Sequence, residues 1–156
     1  MTLLVSDEEI RNRVIRIIAS TRFPFVDQTD WGEDYVTITN DSGRKVRGVS
    51  GPSGFVYPSI VITRANTVIQ EIGEVEGEDT VTEAQVEKWR LLSDSAAVGR
   101  RVKKFFLYVP EGKEEDALRL LEDNGIEYDG LRTWAVRGGR LVITPIRSHD
   151  TPEDHR

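Results

Sequence analysis

The run Phe105-Phe106-Leu107-Tyr108-Val109 constrains the fold of this chain more than any other stretch. A strand with one wet face alternates apolar and polar side chains, but this one is apolar on both faces until it ends at Pro110. It reads as an inner strand with layers packed on either side, and the rest of the chain has to supply those layers.

Three helical patterns can do so. Ser6 and Glu9 form a capping box ahead of Ile10, Val14, Ile17 and Ile18 at helical spacing. Arg11, Arg13 and Arg16 spread over the remaining surface, and Pro24 sets an end near Thr21. A second helix begins at Thr82, where Gln85 completes a capping box and Val81 and Val86 take the staple positions. Its apolar stripe is Val86, Trp89 and Leu91 or Leu92. A third helix covers residues 111–124, with Ala117, Leu118 and Leu121 inward, acids in its first turns and Gly125 as its stop.

Strand patterns fill the rest. Tyr35-Val36-Thr37-Ile38-Thr39 precedes a turn at Asn40-Asp41-Ser42-Gly43 and a more polar arm, Arg44-Lys45-Val46-Arg47. A loop at Gly51-Pro52-Ser53-Gly54 leads to Ser59-Ile60-Val61-Ile62-Thr63, which turns into a strand from Thr67. Two further strands flank Gly138-Gly139 as a hairpin. A helix between the strand from Thr67 and the Phe105 strand implies a parallel crossover, and the earlier strands read as an antiparallel meander. The expectation is one α/β domain over residues 1–147, a central mixed sheet flanked by helices, with a disordered polar tail at 148–156.

Composition narrows the chemistry. The chain has no cysteine and two histidines, His149 and His155, both in the polar C-terminal region. Thiolate chemistry, histidine-ligated metals and a Ser-His-Asp triad are thereby disfavoured. The net charge of -6 argues against a protein that coats nucleic acid. No apolar stretch approaches the ~20 residues of a membrane span. The opening apolar run is too short for a signal peptide, so a cytoplasmic, non-membrane protein is expected. No glycine-rich phosphate loop is present.

Against this background residues 58–79 stand out. Glu71, Glu74, Glu76, Glu78 and Asp79 crowd into a segment that otherwise reads as buried strand. Buried carboxylates are costly unless a metal, a cation or water offsets them. Period-two alternation puts Glu74 and Glu76 on one face and Glu71 on the other, unless a bulge at Gly73 intervenes. The acids either form a divalent-metal site or mark a strand end emerging into solvent.

The αβββαβ order, the Pro58-Ser59 dipeptide opening a core strand and the Glu74-Val75-Glu76 acid pair resemble the PD-(D/E)xK nuclease superfamily. So do residues 74–89 (EVEGEDTVTEAQVEKW) and 105–126 (FFLYVPEGKEEDALRLLEDNGI). The resemblance implies a restriction-endonuclease-like fold and magnesium- or manganese-dependent phosphodiester hydrolysis on DNA or RNA. It puts Ser59 where an aspartate is expected and Glu74 at the first acid. Glu76 stands where a lysine would be. It further implies a metal set of Ser59, Glu74, Glu76 and a first-helix glutamate, Glu9 or Glu8. Lys88 is the relocated lysine, with Gln85 a polar alternative, so the catalytic set is Glu74, Glu76 and Lys88. Arg100, Arg101, Lys103 and Lys104, helped by Arg44, Lys45 and Arg47, are the nucleic-acid contacts if they are not simply solubilising cover. Trp89, Trp134, Phe105 and Phe106 are expected in the core, and the burial of Trp31 is open. The alternative function is a non-catalytic interaction domain that needs no cofactor and docks a basic protein partner through its acidic patch. A homodimer is compatible with either reading.

Overall fold

The computed structural model describes residues 6–22, 34–65, 68–99 and 103–149. Trp31, Arg100, Arg101 and residues 150–156 lie outside them. The elements run α1 (Asp7–Arg22), β1 (Tyr35–Thr39), β2 (Val49–Gly51), β3 (Gly54–Val56), β4 (Ile60–Arg64) and β5 (Val68–Val75). A 3-10 turn (Glu83–Gln85) then leads to α2 (Val86–Ser95), β6 (Phe105–Pro110), α3 (Glu114–Asp123), β7 (Gly130–Arg137) and β8 (Arg140–Ser148).

Six strands form one mixed sheet in the order β1-β4-β5-β6-β7-β8. β5, β6 and β7 are mutually parallel, and the outer pairings are antiparallel. β6 is buried along its whole length, and its alternation splits the core in two. Phe105, Leu107 and Val109 pack with Trp89 and Leu92 of α2 and with Leu120 and Leu121 of α3. Phe106 and Tyr108 pack on the other face with Val14, Ile15 and Ile18 of α1. Each such side chain contributes roughly 1.5–3 kcal/mol of burial. The expected α/β architecture, a central mixed sheet flanked by helices, is what the chain adopts.

Local departures have physical reasons. The buried stripe of α1 is Val14, Ile15, Ile18 and Ala19, while Ile17 is exposed, so the inward face is rotated from the expected one. The polar arm at 44–47 forms no strand. Asn40 holds it as a loop, its amide donating to the Arg47 and Pro58 carbonyls and its carbonyl accepting from the Val46 and Arg47 N–H groups. β1 pairs instead with β4, and Gly51-Pro52-Ser53-Gly54 closes the separate β2–β3 hairpin. The bulge in β5 falls opposite the Ile62/Thr63 step rather than at Gly73. Gly138 and Gly139 turn the last hairpin with φ of 57° and 76°, the left-handed region such a turn requires. No helix among the described residues is long and apolar enough to cross a membrane.

Candidate functional site

Parallel β5, β6 and β7 bring their carboxyl ends to one edge of the sheet, and the N-terminal turns of α1 and α2 meet that edge. The sequence makes these contacts through side-chain period. On β5, Ile72 packs against the α2 side, so Glu74 and Glu76 follow it onto that face. On the helical side Gln85, Lys88 and Trp89 are three and four residues apart and share one face.

Glu74 is fully buried. Its Oε1 accepts from the Ser59 N–H at 2.9 Å and from the Ser59 hydroxyl at 2.5 Å. Lys88 Nζ stands 2.5 Å from Oε2. The Ser59 hydroxyl is saturated, since it also accepts from the Val75 N–H at 3.0 Å and from Arg11 Nη2 at 3.1 Å. Arg11 Nε donates to the Val75 carbonyl at 2.7 Å, and Nη2 lies 3.9 Å from Glu74 Oε1.

Glu76 is also buried, at 1% exposure, but its partners are neutral. Thr80 and Gln85 donate to Oε1 at 3.3 and 3.4 Å, and the Trp89 indole donates to Oε2 at 3.3 Å. The Trp134 indole fixes the Glu76 carbonyl at 3.0 Å. Burial, and then the charge of Glu74, push the Glu76 carboxyl up to about 7, against the opposing pull of Lys88 and Trp89. Glu74 goes the other way. Burial favours its neutral form, but Lys88 and Arg11, with hydrogen bonds from Lys88 and Ser59, outweigh burial and hold it below the usual carboxylate range. The Glu74 charge raises the Lys88 ammonium in turn, despite its own burial. Two adjacent carboxyls are therefore pushed in opposite directions, Glu74 toward its ionised form and Glu76 toward its protonated form.

Above this centre lies an open cleft of about 370 Å³. Arg11, Glu76, Gln85 and Lys88 line its floor, and Asp7, Glu8, Glu78 and Asp79 form its rim. Glu74 sits beneath it.

Of the residues expected from the sequence, Ser59, Glu74, Glu76, Lys88 and Gln85 meet here. Glu9 is exposed, and its N–H takes the Ser6 cap at 3.1 Å, while Glu8 is the first-helix glutamate on the cleft. Lys103 and Lys104 precede β6, at the opposite edge of the sheet, where Lys104 pairs with Asp129 at 3.4 Å. Arg100 and Arg101 fall outside the described residues. Arg11, Thr80 and the two indoles were not expected at the site. Arg11 carried a readable signal, because positions 11, 14, 15 and 18 form one helical face.

The oxygens present do not suit a magnesium ion. Magnesium takes near-octahedral oxygen ligands at about 2.0–2.1 Å and favours charged ones. Here Glu74 Oε1 is held by Ser59, Oε2 by Lys88 and the Val75 carbonyl by Arg11, while Glu76 already accepts from Thr80, Gln85 and Trp89 and its burial works against ionisation. Among the described residues no group of three or more His, Asp or Glu side chains is arranged to hold a metal. No family model matches the chain, and comparison with curated proteins and with solved structures gives no match either.

Proposed function

We propose that this chain is a non-catalytic interaction domain on a nuclease-like scaffold, docking a basic protein segment at the acidic rim of its cleft. One contrast carries the reading. Glu74 is neutralised from within by Lys88 and Arg11, whereas the rim carboxylates Asp7, Glu8, Glu78 and Asp79 are exposed and make no ion pair among the described residues. The inner cations are spent on the centre, so the cleft presents a negative field to solvent, in keeping with the net charge of -6. Exposed ion pairs add about 0–1 kcal/mol each, so the complex is modest in affinity and weakens with salt.

The test is fluorescence anisotropy with a labelled oligolysine peptide. The triple variant E8Q/E78Q/D79N should weaken binding about tenfold, as three pairs near 0.5 kcal/mol each imply. The charge-matched control D94N/D123N/E127Q, taken from exposed sites away from the cleft, should bind like the parent. Equal weakening by both triples would reduce the effect to net charge and overturn the reading. A nuclease reading keeps the meeting of Ser59, Glu74, Gln85 and Lys88 in its favour. Chelator-sensitive cleavage of DNA or RNA, lost in E74Q, would establish it in place of ours.

A further inference from the structure

We propose that Arg11 is the resident cation of this centre, filling the position that a divalent ion would otherwise need. Three oxygens converge where β4 begins and β5 ends: the Ser59 hydroxyl, the Glu74 carboxylate and the Val75 carbonyl. The Arg11 guanidinium addresses all three, at 3.1, 3.9 and 2.7 Å. These are the oxygens that an ion entering from the cleft would have to gather.

Charge points the same way. Arg11 and Lys88 already bring two positive charges to the buried Glu74 carboxylate, at 3.9 and 2.5 Å. A divalent ion would have to enter beside two cations already held against Glu74, where like charges repel strongly. Ser59 completes the arrangement. As a neutral hydroxyl it accepts from Arg11 and donates to Glu74, joining cation to anion. A carboxylate at position 59 would instead add a negative charge and a metal-grade oxygen.

Arg11 also has a reason to stay. It projects from the α1 face that carries Val14, Ile15 and Ile18 into the core, so its stem is fixed by the packing of the helix. Its side chain is 29% exposed and Lys88 is 27% exposed, so both cations also line the route from the cleft to Glu74. Arg11 is thus a positioning residue that closes the centre.

The experiment is calorimetric titration of the full chain with manganese, with thermal melts in parallel. The wild type should give no heat that depends on Glu74, so E74Q should match it. R11A/S59D opens the three oxygens and adds a charged ligand. It should bind manganese on the order of tenfold or more tightly than the wild type, and E74Q in that background should remove the gain. R11K/S59D retains a cation and should gain much less. R11A alone, with fewer changes to the core, should show a smaller gain in the same direction. Glu74-dependent manganese binding by the wild type would overturn the proposal. So would a folded R11A/S59D that binds no more tightly than the wild type, or an R11K/S59D that gains as much as the alanine variant. The rim experiment with oligolysine reads a different surface, so either proposal can fail while the other stands.

Discussion

Lys88→Met tests the centre most directly. The substitution preserves the length of the stem and leaves Glu74 fully buried with its Oε2 partner gone. Removing one partner of a buried ion pair costs about 3–5 kcal/mol. Two features reduce that figure here. The Lys88 side chain is 27% exposed, so water reaches part of the vacated space, and Arg11 remains 3.9 Å from Oε1. A loss of about 2–3 kcal/mol is expected, or a fall in melting temperature of about 5–10 °C for a chain this long. The sign of the pH dependence is fixed by Glu74. Its folded pKa is lowered in the wild type, so its contribution is present above the ordinary value of 4.5 and fades as pH falls through the folded value. Without Lys88 the buried carboxylate is penalised instead. The gap between K88M and wild type should therefore be full near about pH 8 and shrink as pH falls, first as the stranded Glu74 of K88M takes up a proton and then as the wild-type Glu74 does. Urea titrations followed by the fluorescence of buried Trp89 and Trp134 would measure both quantities. E74Q/K88M should regain at least about 1 kcal/mol over K88M, because the stranded charge is gone. A K88M loss under about 0.5 kcal/mol, or strict additivity in this cycle, would refute the pairing.

Two further perturbations probe the neighbouring charges. Glu76 has its folded pKa raised to about 7 from 4.5, so its contribution is fully present below 4.5 and is lost as pH rises to about 7. The loss is on the order of 3 kcal/mol, and E76Q, which cannot ionise, should be the more stable protein at about pH 8 and lose that advantage near about pH 4 in the same urea assay. Asp41 is buried and bonded to Arg16 and Arg44, and these contacts hold its carboxyl below the usual range although burial opposes them. Asp41→Asn should cost only about 1–2 kcal/mol, since both arginines are more than half exposed, and thermal melts should show the difference vanishing in acid as the wild type protonates.

The fold was legible where one physical signal dominated. A strand apolar on both faces has one stable setting, between two layers, and β6 occupies it. The helix separating β5 from β6 makes their pairing parallel, because a tight turn cannot reverse over that distance. Legibility failed where two signals competed. On α1 the isoleucine at 17 drew the expected stripe of Ile10, Val14, Ile17 and Ile18 away from Ile15 and Ala19, and that reading left Arg11 on the wet side. At Thr82 the capping-box pattern was present but its glutamine was engaged elsewhere. Gln85 reaches Glu76 across the cleft, Thr82 stays extended without a side-chain cap, and the helix starts through a 3-10 turn. A residue type that suits a cap also suits a buried carboxylate, and only the third dimension decides which partner is nearer.

The site itself was half legible for a related reason. Acids on one strand face, and a lysine on the next helix, follow from periods of two and 3.6. The group that balances them came from α1, sixty-three residues before Glu74 in the chain, and no local pattern links the two. That distance bears on what the centre is for. Arg11 ties α1 to the end of β5, Lys88 ties α2 to the same carboxylate, and Ser59 ties in β4. One buried charge thus joins the layers on both faces of the sheet. Removing Glu74 itself frees both cations to reach water, whereas removing either cation strands a charge. The centre should therefore tolerate E74Q better than K88M. That ordering, read as unfolding free energies, follows from burial and charge alone and holds whatever docks at the rim.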